Sequence, residues 1–232
     1  MLVQIQEKKA KKTQKKTQMI LFQTSFIILV FTGKLRRSQN GKTGPMIQSY
    51  IFDSSKLVDE PNIFGAGCSK CPVKKECYVS RDKLAVRKKA VKIIEEIENI
   101  GHSPLEVKNI EQIKHFLKNE YVRFGSYGDP SYIPKKILKE LFPILSGYTG
   151  YTQYWGKPRN EWLKDHFQAS VSTYRLEKLA LKKGWQPYRF IKKGDKPEVL
   201  DSSIRCLYHD KGVQCIDCLL CSGKKPIYEF EH

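Results

Sequence analysis

The sequence lacks most of the signatures that identify an enzyme or a secreted protein at sight. No Gly-x-Gly-x-x-Gly run is present, which excludes the dinucleotide-binding fingerprint. No serine or cysteine stands in a recognisable nucleophile motif, and His102, His115, His166, His209 and His232 share no metal-ligand spacing. There is no internal repeat and no Gly/Ser linker, so 232 residues are expected to form one domain with a real core. An even, well-spread set of cysteines is also missing. The seven present are an odd number in two tight groups, which argues against a secreted disulfide framework and for the cytoplasm of the host cell.

Acidic residues are few, 24 against 42 Lys and Arg, for a net charge of +18. Half of that sits at the front: residues 1–45 hold ten basic residues and the single acid Glu7. A basic balance favours polyanionic partners, nucleic acid or nucleotide first, through phosphate neutralisation. Lys8, Lys9, Lys11, Lys12, Lys15 and Lys16 precede an uncharged stretch, Thr17 to Gly33, in the order of a signal peptide. There is no small-x-small cleavage site, and Lys34, Arg36 and Arg37 follow at once. Seventeen uncharged residues are also at the short limit for a membrane span, so a membrane partner is not expected. Composition changes abruptly near Arg36, and residues 1–35 are expected to stand outside the core, with residues 36–232 as a single α/β domain.

Within that domain the apolar period alternates. Val86, Ala90, Ile93, Ile94, Ile97 and Ile100 recur at helical spacing. Ser103, Pro104 and Glu106 read as a capping box opening a helix through Ile110, Ile113, Phe116 and Leu117. From Tyr121 onward, strands predicted at 121–125, 147–154, 167–172 and 185–191 are separated by helices at 134–142, 160–165 and 175–182. Strands about 20 residues apart with helices between them imply parallel pairing through right-handed crossovers. The expected fold class is α/β: a parallel βα-repeat sheet, open or an incomplete barrel, with too few units for eight.

Cysteine carries the sharpest chemistry. Cys206-x8-Cys215-x2-Cys218-x2-Cys221 places four thiols within sixteen residues, a spacing suited to four thiolates on one ion. The repeated Cys-x2-Cys also suits an iron–sulfur cluster, and His209 is a possible substitute ligand. Cys68-x2-Cys71-x5-Cys77 offers only three thiols, which suits a metal with one open coordination position. Zn2+ and an iron–sulfur cluster both remain open as the cofactor, as do one joint site and two separate ones.

Ligands of such folds meet the carboxyl ends of the strands. The polar residues expected there make Asp129, Arg123, Ser172 and Arg189 the candidate catalytic or ligand-contacting set, on a face suited to an anionic or phosphorylated ligand. Asp129 lies in Arg123 to Pro130, reading RFGSYGDP; its rival role is to cap the turn that follows. Tyr148, Tyr151, Tyr154, Trp155 and Trp162, with Lys157 and Arg159 nearby, suit base stacking or the core. Arg81, Lys83, Arg87, Lys88, Lys89 and Lys92 give the helix before residue 100 a basic face.

Taken together, NGKTGP at Asn40 to Pro45, Cys68/Cys71/Cys77 followed by Tyr78, RFGSYGDP, GYTGYTQYW at Gly147 to Trp155, and the closing cysteine group with Ser222-Gly223 form an ordered set. That set resembles an uncharacterised family of phage- and plasmid-encoded proteins described as a domain of unknown function. The likeness runs from Arg36 onward and brings no chemistry with it. The parallel rhythm and cysteine groups are also similar to the partial barrels of radical S-adenosylmethionine enzymes, although this chain departs from their Cys-x3-Cys-x2-Cys pattern. The expected function is a metal-centred α/β protein of a phage or plasmid, acting as an enzyme on a nucleotide or nucleic acid. The rival is a zinc-stabilised nucleic-acid-binding module without catalysis.

Overall fold

The computed structural model describes residues 19–24, 26–33, 38, 40–54, 65–72, 74, 77, 90–93, 95, 105–192, 194 and 198–230. Ten strands form one open sheet. In chain order they are β1 (Met19–Gln23), β2 (Ile27–Phe31), β3 (Ile47–Asp53), β4 (Leu105–Val107), β5 (Tyr121–Tyr127), β6 (Gly147–Thr152), β7 (Gln168–Val171), β8 (Pro187–Ile191), β9 (Ile204–Arg205) and β10 (Ile227–Phe230). Their order across the sheet is β4-β1-β2-β3-β5-β6-β7-β8-β10-β9. Pairing is antiparallel only for β1 with β2 and β2 with β3, and parallel elsewhere. From β3 to β10 the parallel strands, apart from the edge pieces β4 and β9, lie in the order in which the chain makes them. Right-handed crossovers that always step the same way put their helices on one face.

Those helices are α1 (Ile110–Leu117), α2 (Lys135–Leu141) and α3 (Tyr174–Lys182). Ile113, Leu117, Ile137, Leu138, Leu141 and Ala180 pack with Ile47, Ile51, Val122, Phe124, Ala169 and Val171 in the main core. Alternation along each strand sends the intervening side chains to the second face. There, Leu21, Ile28, Val30, Tyr50 and Phe52 pack with Ala90 and Ile93. Residues 90–93 and 95 are helical; the rest of the helix expected around them, with Arg81, Lys83, Arg87, Lys88 and Lys89, lies outside the described residues.

The structure corrects the reading of residues 1–35 as standing outside the core. β1 and β2 pair as a hairpin, every residue of β2 is buried, and Ile27, Leu29 and Phe31 belong to the main core while Ile28 and Val30 face the other side. A strand covered on both faces reads as a continuous apolar run, the same composition as an anchor segment. Residues 1–18 lie outside the described residues. Among the described residues no helix is long and apolar enough to cross a membrane.

The cap of α1 also differs from expectation. Asn109 and Gln112 form the capping box, three residues past Glu106, which itself lies in β4. Asn109 sits at the change of backbone direction: its Oδ1 accepts from the Gln112 N–H at 3.0 Å, and Gln112 Oε1 accepts from the Asn109 N–H at 3.1 Å.

Candidate functional site

Two cysteine regions lie at opposite ends of the parallel strands. The first follows β3. Gly65 forms a bridge with Phe52, and the Ala66 N–H donates to the Ile51 carbonyl at 2.9 Å, so the chain returns to the carboxyl end of β3 just before the cysteines. Cys68 opens a 3-10 turn, and successive N–H groups of Cys71, Lys74 and Cys77 bond to the carbonyl three residues back. At three residues per turn, positions three apart eclipse one another. Cys71 and Cys77 both lie near enough to Cys68 for their charges to act on its thiol.

This loop is held by the two motifs of β5 and β6. The Asp129 N–H donates to the Ala66 carbonyl at 2.9 Å, and the Tyr154 hydroxyl donates to the Gly67 carbonyl at 2.5 Å. The Gly128 N–H bonds the Cys68 sulfur. Gly128 has φ +78°, and a Cβ there would lie 2.1 Å from the Ile51 carbonyl oxygen; a Cβ on Gly65 would lie 2.5 Å from Cys68 Sγ. Only glycine lets the ends of β3 and β5 come together around that sulfur. Ahead of it, Gly125 at φ +72° marks a bulge in β5, its N–H donating to Ser49 Oγ at 2.9 Å, and Ser126 then turns to bond Gln48 Oε1.

Asp129 is buried. Its Oδ1 accepts from the Ser131 N–H at 2.9 Å and from Thr152 Oγ1 at 2.8 Å, and its Oδ2 accepts from the Gln153 N–H at 2.8 Å. It therefore caps the 3-10 turn Pro130–Tyr132 and ties the end of β5 to that of β6. Burial pushes its pKa up, against the pull of those donors. Beside it, burial and then the neighbouring Cys77, Cys71 and Asp129 push the Cys68 thiol up to about 12.

The second region lies on the face opposite the helices, toward the amino ends. After β9 the chain makes α4 (Leu207–Lys211) and α5 (Cys215–Cys218), then turns at Leu219, φ +49°, toward β10. Cys206, Cys215, Cys218 and Cys221 line one small pocket with Lys42, Thr149, Tyr151 and Ile227. The NGKTGP loop clamps it: the Cys215 N–H donates to the Lys42 carbonyl at 2.8 Å, and Gln214 Nε2 to the Gly41 carbonyl at 2.8 Å. Gln168 Nε2 donates to the carbonyls of Leu220 and Lys225, and Gly223 lies against the backbone of Lys164 to His166. Burial raises Cys215, with Arg123 and Lys42 pulling the other way; burial also raises Cys221, to whose sulfur the Tyr151 hydroxyl donates.

No disulfide joins any of the seven cysteines. The thiols gather in each region without closing on a common point: among the described residues no three His, Cys, Asp or Glu side chains stand in a metal-holding group. His209 is engaged elsewhere, its Nε2 being 2.8 Å from Glu229 Oε1. Glu229 also receives Lys42 Nζ and the Tyr188 hydroxyl.

The candidate quartet is not brought together. Only Asp129 adjoins the three-cysteine loop. Arg123, midway along β5, lies 5.8 Å over the Tyr151 ring on the side of the four cysteines. Arg189 is 3% exposed and turned into the helix layer, with Nη1 2.7 Å from Glu177 Oε2 and Nη2 2.5 Å from the Glu198 carbonyl. Ser172 is exposed just past β7 and makes none of the contacts of the Asp129 group. Neither guanidinium therefore serves a carboxyl-end ligand. The aromatics also pack inward. Tyr154 and Trp155 are buried, and Tyr148 stacks on Phe142 at 4.5 Å and bonds His166 Nδ1 at 2.7 Å. Sequence reasoning missed Gly65, Gly67, Lys42 and Glu229; the signal was present in NGKTGP, whose clustering without an assigned role pointed to a contact far along the chain. No family model, curated protein or solved structure matches the chain.

Proposed function

We propose that the chain is a metal-centred α/β enzyme acting on a nucleotide or nucleic acid, with two thiolate sites of different purpose. The four cysteines at the amino ends hold a structural ion or cluster that fastens residues 206–226 across the sheet. The three cysteines at the carboxyl ends hold the reactive one, with an open coordination position for substrate. Zinc or an iron–sulfur cluster fits thiolate ligation of this kind. One observation supports the reading above the rest: the three-thiol loop is carried to the strand ends where folds of this class place their chemistry, on a pedestal of backbone hydrogen bonds and obligatory glycines. Its resemblance to phage- and plasmid-encoded proteins suggests a mobile element as the source.

The test uses the full chain purified without oxygen, with elemental content and visible spectrum measured alongside thermal unfolding. The Cys215→Ser/Cys218→Ser pair should lose one site's metal and lower the Tm by about 10 °C or more, since metal binding there is folding energy. The Cys71→Ser/Cys77→Ser pair should lose the other site's metal with a Tm change of only a few degrees and no remaining turnover. Brown protein identifies iron and sulfur, and colourless protein with stoichiometric zinc identifies zinc. A metal-free chain of unchanged stability overturns the reading. Zinc at both sites, with nucleic acid bound and chemically unaltered, would instead establish the non-catalytic binding module.

A further inference from the structure

The helices of this sheet run opposite to its strands, so their first turns crowd the carboxyl ends. A helix's first turn carries the positive end of its dipole and ordinarily attracts acids. Here bases gather there as well, beside Glu111, Glu161 and Glu177. Lys135 and Lys136 open α2, which has no acid in its first turn, and Arg175 lies in the first turn of α3. Lys157 and Arg159 begin the turn that follows β6, and Lys70 ends the 3-10 turn of the cysteine loop. All six are exposed, and none forms a salt bridge with an acid among the described residues.

Among the described residues the acids at this end do not balance them, and Glu111 in the first turn of α1 is paired with Lys114 at 3.0 Å. Asp129 is buried, Asp53 is half-buried, Glu177 is buried against Arg189, and Glu161 reaches Lys164 at 3.5 Å. Elsewhere unbalanced cations have a simple account: Lys139 and Lys182 sit in last turns, where the dipole favours them. Lys70 stands between Cys68 and Cys71, and Arg159 is joined physically to the same loop. Arg159 lies 5.8 Å over the Tyr132 ring, Tyr132 meets Tyr154 edge-on at 5.3 Å, and Tyr154 holds Gly67, next to Cys68. By contrast residues 198–230 carry four basic and five acidic residues.

We propose that these six residues form a rim that docks the phosphate backbone of a nucleic acid and presents it to the three-cysteine loop. A mononucleotide would occupy only part of a rim drawn from four chain segments, so a polymer is the fitting partner. Tyr132 and Trp162 are half-buried and already covered by Arg159 and Lys135, so recognition is by backbone charge and carries little sequence preference. The inference takes the carboxyl-end loop as the working end, as in the proposed function, but does not depend on which metal is held there.

Binding of fluorescein-labelled single-stranded and duplex oligonucleotides is followed across a salt series for two triple variants that each remove three exposed charges. Lys136→Gln/Lys157→Gln/Arg175→Gln should weaken binding tenfold or more and flatten the plot of log affinity against log salt by about two, at roughly 0.7–0.9 per phosphate contact. Lys139→Gln/Lys182→Gln/Lys183→Gln should stay within twofold of wild type. Equal losses in both, or binding of phosphatidylserine vesicles in preference to oligonucleotides, would overturn the proposal. The same samples are assayed for metal and for binding after chelation: rim-dependent binding by chelated protein upholds the rim even where the metal reading fails.

Discussion

The two cysteine regions use the same side chain in opposite settings. The three-thiol loop is a guest on the sheet: its backbone is pinned by β3, β5 and β6, and those strands hold their register through Asp129, Thr152 and Gly128 without help from sulfur. The four-thiol segment is part of the wall. It contains little regular structure, covers the second face between the NGKTGP loop and β10, and owes its path to a few carbonyl contacts around the pocket its cysteines line. On the proposed function, sulfur near a strongly pre-organised frame serves chemistry, whereas sulfur in a segment that frames itself serves folding.

Substituting the glycines at which each region meets the sheet tests that contrast. Gly128→Ala places a Cβ 2.1 Å from a carbonyl oxygen on a backbone at φ +78°, so the largest effect is expected, about 4 kcal/mol of stability lost in denaturant unfolding. It should strip metal from the three-cysteine loop first. Gly223→Ala meets the Lys164 carbonyl at 2.7 Å at φ +77°, and a loss of about 2 kcal/mol is expected, with metal lost from the four-cysteine site. Reversal of the two metal outcomes would dissolve the distinction between guest and wall.

The smallest effect is one of pH. His166 lies beneath Gly223, and burial holds its pKa below the ordinary 6.5, with Asp165 pulling partly the other way. The unfolded chain therefore binds the proton more readily, so stability falls as pH drops below about 6.5. His166→Gln should remove that part of the acid loss, measured as the slope of unfolding free energy against pH.

Much of the fold was legible from Tyr121 to Ile191, where each period change marks a real element. The expected strand at 167–172 is β7, Gln168–Val171, and the helix expected at 175–182 is α3, Tyr174–Lys182. What escaped were strands whose burial hides their period. β2 is covered on both faces and β3 on nearly all its length, so neither shows the polar alternation that marks a half-exposed strand. The cysteine groups were legible as groups, but their separation was not, because spacing reports local turns and says nothing about which end of a sheet a loop reaches. Arg189 and Arg123 misled for a related reason: orientation on a strand changes with every residue, and burial decides it.

The position of β10 has a consequence for the order of assembly. It lies between β8 and β9, and β9 has no other neighbour in the sheet. As the chain leaves the ribosome, residues 198–226 can reach Gly41, Lys42 and Gln168 but have no strand to pair with until 227–230 emerge, while the earlier cysteine loop already has β3, β5 and β6 to rest on. The four-cysteine segment therefore completes its fold later than the three-cysteine loop, and its thiols are the last to be covered.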